Sequence, residues 1–538
     1  MNPLSASSYP VRGARRFRRR PRIVGAAVLS TVLALVGAAC SGGVKPSPET
    51  PATTASATMA PATGIAWTSC GTADSPTLEC AKLAVPLDWG EPTGEQIELA
   101  VIRHPASRPD QRIGSIFLNP GGPGDTGVGL VRGAANELDG WGAGRFDLVS
   151  WDPRGTHASS PVHCFANDAE EAAFWKDAIL PSTKAESVAY QKRMVDLAQR
   201  CGQVMGKLLS HISTTDTVRD LDAIRAAVGE ETMTYVGLSY GTMIGQTYAN
   251  MFPQRVRAMM LDAVVDAVPY TADAESRAVN NASSTDEVFD QFAKLCAAAG
   301  PKRCALAGHP GQTAAQRVDW LLEQARKAPI PAPNADPPGE LSYSDLTVTS
   351  FAALRDPFLW PEWAKQLNAA ADGDASELEM AARPGRTPKA FAEATKSAAI
   401  SCLDGPAKVP STDWPTVIGD LDKVSVWAGA IQGWWLWAAC ASNWPAKSDD
   451  RYAGPWNAKT ANPILVIGSR YDPNTSYQNA VRVAQRLGNA VLLTHDGYGH
   501  VSSHDPSECI EKARVAYLVD LVTPPPGTVC AADQKPFP

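Results

Sequence analysis

The sequence predicts an α/β fold: a doubly wound, mostly parallel sheet with a helical lid domain inserted into it. Three observations carry that prediction. Strand-like and helix-like segments alternate between residues 115 and 265. The alternation gives way to helical patterns over residues 270–455. A continuous apolar run, Pro463-Ile464-Leu465-Val466-Ile467-Gly468, then resumes the sheet. The expected division is therefore 1–39 export signal, 40–64 linker, 65–268 first part of the core, 269–455 lid and 456–538 second part of the core.

The 538 residues, 44% hydrophobic, supply ample apolar surface for such a core. A net charge of −7 leaves no basic footprint for nucleic acid, which is excluded as a partner. Seven arginines between Arg12 and Arg22 precede an apolar segment, residues 23–36, too short for a comfortable transmembrane span. Gly37-Ala38-Ala39-Cys40 resembles a bacterial lipobox, with Gly37 where such sites usually carry Leu. The resemblance implies cleavage before Cys40, lipidation of that cysteine and a membrane partner through the lipid; plain secretion is the alternative. The arginine run lacks the usual twin-arginine pattern, so the general secretory route is expected. The Ser/Thr/Pro/Ala-rich residues that follow cannot bury enough surface to fold and suit a tether.

Eleven cysteines less Cys40 leave ten, an even number that reads as disulfides in an exported chain. Sequence neighbours suggest Cys70–Cys80, Cys164–Cys201, Cys296–Cys304, Cys402–Cys440 and Cys509–Cys530, although sequence does not fix the pairing. No pair has the C-x-x-C spacing of a zinc site, and neither a metal nor a cofactor is called for.

In chain order, Gln96 to Ile102 reads as a first strand and Ser115-Ile116-Phe117-Leu118 as a short buried one. The latter runs into Asn119-Pro120-Gly121-Gly122-Pro123-Gly124, where glycines let backbone N–H groups approach a ligand. Phe146 to Trp151 is a further strand, closed by Asp152-Pro153-Arg154-Gly155, read as an Asp/Arg pair ordering the loop beneath a site. His157 and His163 read as loop histidines. A helical pattern covers residues 189–209, and Thr214 to Thr217 reads as the cap of a helix over 218–228.

The pentapeptide Gly237-Leu238-Ser239-Tyr240-Gly241 stands between a strand-like run from Met233 and a helix-like segment from Thr242. This is G-x-S-x-G in the strand–turn–helix context of a nucleophile elbow, with Ser239 held clear of the sheet. Residues 257–264 form the next buried strand. The helical insert follows, with Trp360, Trp363, Trp427, Trp434, Trp435, Trp437 and Trp444 read first as core packing and second as a pocket lining. Asp472 lies just past the strand over 463–468, at the edge where open α/β sheets place their sites. A helix over 476–487 and a strand over 490–494 lead to Asp496-Gly497-Tyr498-Gly499-His500.

Ser239, Asp472 and His500 thus fall in the order Ser…Asp…His, each just after a strand. Asp496 and His504 are the competing acid and base; the first would have to fold back on His500, and the second lacks the Gly-x-Gly loop. A serine hydroxyl needs a base to take its proton, the role of His500, and Asp472 would fix the imidazole tautomer. The backbone N–H groups of Tyr240 and Gly122 are the expected oxyanion donors. Thr475 is placed to hydrogen-bond the Asp472 loop.

Asn119-Pro-Gly-Gly-Pro-Gly124, Asp152-Pro-Arg-Gly155, the elbow, Ala399-Ile-Ser-Cys-Leu-Asp404, Asp472 and Gly497-Tyr-Gly-His500 together resemble the secreted actinobacterial tripeptidyl-aminopeptidase-like proteins. These are proline-iminopeptidase-like serine peptidases, with mycobacterial cell-envelope lipoproteins among them. The resemblance covers nearly all of the chain after the linker. It implies an α/β-hydrolase core, a helical lid, catalysis by Ser239, Asp472 and His500, and a peptide or protein substrate. Asp125-Thr126 and Thr475-Ser476 depart from the family pattern. An exopeptidase needs a lid carboxylate for the substrate's ammonium; Asp404 and Glu362 are the candidates, Asp404 the better one. The expected function is an exported serine hydrolase releasing short peptides through an acyl-enzyme on Ser239. A carboxylesterase or lipase with the same triad is the first alternative, and a cell-surface binding protein with a decayed site the second.

Overall fold

The computed structural model describes residues 64–538 apart from residues 74 and 442. The expected signal, Cys40 and nearly all of the linker lie outside the described residues. Among the described residues twelve strands form: β1 (Thr68–Ser69), β2 (Glu79–Pro86), β3 (Gln96–His104), β4 (Gly114–Asn119), β5 (Phe146–Trp151), β6 (Met233–Leu238), β7 (Val256–Asp262), β8 (Ile330–Ala332), β9 (Gly339–Leu341), β10 (Ile464–Tyr471), β11 (Ala490–Tyr498) and β12 (Val529–Ala531). Ten of them make one sheet in the order β1-β2-β3-β5-β4-β6-β7-β10-β11-β12. The pairings β1/β2, β2/β3 and β3/β5 are antiparallel; all those from β5 onward are parallel.

The apolar runs of β4 and β10 are buried on both faces, which is why they do not alternate with polar residues. Ile116 and Leu118 face one core, with Leu465 and Ile467; Phe117 faces the other, with Ile464 and Val466. The first of these cores is closed by the helices Gly127–Trp141 and Glu508–Asp520. The second is continuous with the apolar residues of the insert.

Between β7 and β10 the chain is largely helical, from Ala267–Ala272 to the π-helical turn Gly429–Trp435, with β8 and β9 as a small antiparallel ribbon. Within the stretch read as helical over residues 270–455, Ala274–Asn280 and Ser284–Ala299 are separate helices. In the same stretch Gly429–Trp435 forms a π-helical turn instead of an ordinary helix. Six of the seven named tryptophans are buried, and only Trp435 is partly exposed. All five neighbour-paired disulfides form. Among the described residues no helix is long and apolar enough to cross a membrane.

The helix before the elbow begins at Thr214, not Val218, because the Ser213 side chain accepts from Asp216 N and caps it. Arg154 does not pair with Asp152. Its Nε and Nη2 reach Asp220 at 2.7 and 2.5 Å, and its remaining N–H groups reach the carbonyls of Pro86, Leu87 and His211. Asp152 instead accepts from Thr126 Oγ1 at 2.6 Å, and Thr126 caps the helix Gly127–Trp141. The departure at Thr126 is therefore a helix start.

Candidate active site

Ser239, Asp472 and His500 follow the ends of the parallel strands β6, β10 and β11. Ser239 follows β6 with φ +53°, the left-handed region that a side chain rarely adopts. Its N–H donates to Asp262 O at 3.0 Å, and Thr242 Oγ1 donates to its carbonyl at 2.6 Å, so the turn is held from both sides. A Cβ on Gly237 would lie 2.4 Å from Gly241 O, which explains the glycine entering the turn.

Asp472 follows β10 and His500 follows β11. His500 Nε2 stands 2.9 Å from Ser239 Oγ, and its Nδ1 stands 3.0 and 2.9 Å from the two Asp472 oxygens. Asp472 and His500 are 2% and 1% exposed, so the pair is shielded from competing water. Asp472 also accepts from Asn474 N, Thr475 N and Thr475 Oγ1 at 2.8, 2.9 and 2.7 Å. The lid contributes as well, since His500 N donates to Arg355 O at 2.9 Å. The competitors sit elsewhere: Asp496 pairs with Arg470, and His504 is exposed in the turn Ser502–His504.

The glycine loop after β4 lies directly on the elbow. Gly121 has φ +106°, and a Cβ there would meet Leu238 O at 2.6 Å and both Ser239 Cβ and Tyr240 N at 2.9 Å. Gly122 and Tyr240 line the cavity that Ser239 also lines. The lid supplies the facing wall with Tyr270, Phe351, Leu436 and Trp437. Trp437 thus serves both core and pocket. Of the loop histidines, His157 Nε2 lies 2.9 Å from Gly124 O and His163 is exposed.

Asp404 is placed differently from its expected role. It is 3% exposed, does not line the cavity, and accepts from Thr214 N and Thr214 Oγ1. Burial pushes its carboxyl up to about 6, against the pull of those two bonds. Glu362 is exposed and paired with Lys365. The carboxylate that does line the cavity, Asp266, went unnoticed in the sequence because nothing local distinguishes it from a helix cap. Burial pushes its carboxyl up, but Arg486 and Arg482, at 2.8 and 2.6 Å, outweigh this and hold it below the usual range. Gln432, Asn474 and Arg277 also line the cavity and were not legible from their neighbours.

A serine on a left-handed turn between a parallel strand and a helix is the organisation of the α/β hydrolases, and this chain is a serine hydrolase of that fold. Residues 114–308 match the family described as alpha/beta hydrolase fold, and residues 428–530 match the family described as TAP-like protein. The chain is 34% identical to the serine protease Hip1 of Mycobacterium tuberculosis, covering 87% of this chain and 91% of that one. It is 31% identical to the tripeptidyl aminopeptidase of Streptomyces lividans, covering 88% of each. It is 32% identical to carboxylesterase B of Mycobacterium tuberculosis, covering 96% of this chain and all of the relative. The chain belongs to this TAP-like family of α/β hydrolases.

Proposed function

We propose that the protein is an exported peptidase that releases short peptides through an acyl-enzyme on Ser239. The hydrogen-bond chain Ser239–His500–Asp472 beneath a lid-walled cavity is the observation that carries the reading. His500 Nε2 takes the Ser239 proton as Oγ attacks the scissile carbonyl, and Asp472 stabilises the imidazolium. The N–H groups of Tyr240 and Gly122 meet the oxyanion, and His500 returns the proton to the departing amine. Water then repeats the sequence on the acyl-enzyme. Relatives named serine protease and tripeptidyl aminopeptidase support a peptide or protein substrate. The five disulfides support export, and the pattern ending at Cys40 supports a lipid anchor on the outer face of the membrane.

A second reading, a carboxylesterase using the same triad, is favoured by the relative of that name. The test compares the mature protein with Ser239→Ala on a free-amine tripeptidyl amide, its N-acetylated form and a short-chain ester. Peptide cleavage lost in the variant supports the proposal. Ester turnover with both peptides untouched establishes the esterase.

A further inference from the structure

The cavity beside Ser239 carries more polar machinery than acyl transfer uses. Gln432, on the turn Gly429–Trp435, lines it and is 2% exposed, yet its Oε1 meets no donor. Asn474 lines it two residues past Asp472; its backbone N–H is spent on Asp472, and its side-chain Oδ1 is buried without a partner. Arg277 supplies a donor. Its Nη groups are committed to the carbonyls of Ser401 and Gly405, its guanidinium stacks on Trp437 at 4.5 Å, and its Nε is unpartnered. The lining carboxylate, Asp266, is committed to Arg482 and Arg486.

Two acceptors and one donor, buried and unsatisfied around a nucleophile, call for a ligand that brings N–H and C=O groups together. Buried polar atoms are costly when left unpaired, so a ligand lacking such groups is selected against. A peptide backbone carries both groups. A simple acyl chain carries no N–H at all.

We propose that Gln432 Oε1 and Asn474 Oδ1 accept from the N–H groups of a peptidyl chain seated against Ser239, with Arg277 Nε donating to one of its carbonyls. These neutral acceptors, and not a lid carboxylate, make the cavity selective for peptides over simple acyl esters. The inference rests on the peptidase reading above.

The experiment measures kcat/KM of the mature protein on a tripeptidyl amide and on a short-chain ester, for wild type, Gln432→Leu and Gln432→Glu. Fluorophosphonate labelling of Ser239 verifies that each variant is folded, and Asn474→Leu replaces Gln432→Leu should the latter not label. The peptide-to-ester ratio is expected to fall about tenfold or more in Gln432→Leu. It should recover largely in Gln432→Glu, which keeps an acceptor oxygen. Wild type that cleaves the peptide while the ratio stays unchanged in the leucine variant overturns this inference alone. A glutamate variant no better than the leucine one does the same. Wild type that turns over the ester but never the peptide overturns the peptidase reading, and this inference with it.

Discussion

Thr214 Oγ1 donates to Asp404 Oδ2 at 2.5 Å, and Thr214 N donates to Asp404 Oδ1 at 2.9 Å, joining residues 190 positions apart. The Tyr240 hydroxyl in turn bonds Thr214 Oγ1. The last residue of the lid helix Pro388–Asp404 is thereby tied, through the helix before the elbow, to the residue whose N–H is proposed to meet the oxyanion.

Asp404→Asn is expected to lower kcat on peptide and ester alike, by about tenfold, through a loosened Tyr240. The ratio of KM between free-amine and N-acetylated peptides should not move. A rise in KM confined to the free-amine peptide would instead make Asp404 the amine site.

Asp472→Asn is expected to cost about 10⁴-fold in kcat, because the amide no longer enforces the imidazole tautomer that lets Nε2 act as base. Thr475→Val removes the hydroxyl that bonds Asp472 Oδ2 at 2.7 Å, and a loss of about tenfold in kcat should follow. Steady-state kinetics on one substrate checks both; equal effects in the two variants would contradict the arrangement.

Gly121→Ala should cost about 100-fold or more in kcat, since the new Cβ would lie 2.9 Å from Tyr240 N on a backbone with φ +106°. Gly140→Ala, where a Cβ meets nothing within 4 Å, is the control, and comparable losses in the two would refute the steric account.

Burial, reinforced by Asp290 and Glu287, pushes the Asp286 carboxyl up from an ordinary 3.8 to about 8. Between those values the folded state keeps a proton that the unfolded chain has released. The associated stability is therefore present below about pH 4 and lost as pH rises toward 8. Asp286→Asn should raise Tm by a few degrees at pH 8, with the gap closing toward pH 4. A gap independent of pH in thermal denaturation would rule this out.

Cys402–Cys440 links the lid helix bearing Asp404 to the segment after Gln432, with a sequence separation of 38. Replacing both cysteines by serine should cost about 4 kcal/mol of stability on the chain-entropy account. Denaturant titration reads the loss directly, and a variant as stable as wild type would show that packing alone holds this corner.

The sequence by itself determined the elements whose signals are local. The strand–turn–helix around Ser239, the glycine loop before it and the strand ends that precede Asp472 and His500 are each written in a few consecutive residues, and the disulfides joined neighbours. The helix before the elbow starts at Thr214 and not at Val218, because its cap is Ser213, just ahead of the Thr214–Thr217 run. What only the tertiary structure decided are contacts between distant segments: Arg154 with Asp220, Asp404 with Thr214, Asp266 with two arginines, and Gln432 and Asn474 facing one cavity. The physical reason is that a carboxylate's role depends on what shares its burial. Periodicity and turn chemistry say which segments form, but not which charges they enclose together.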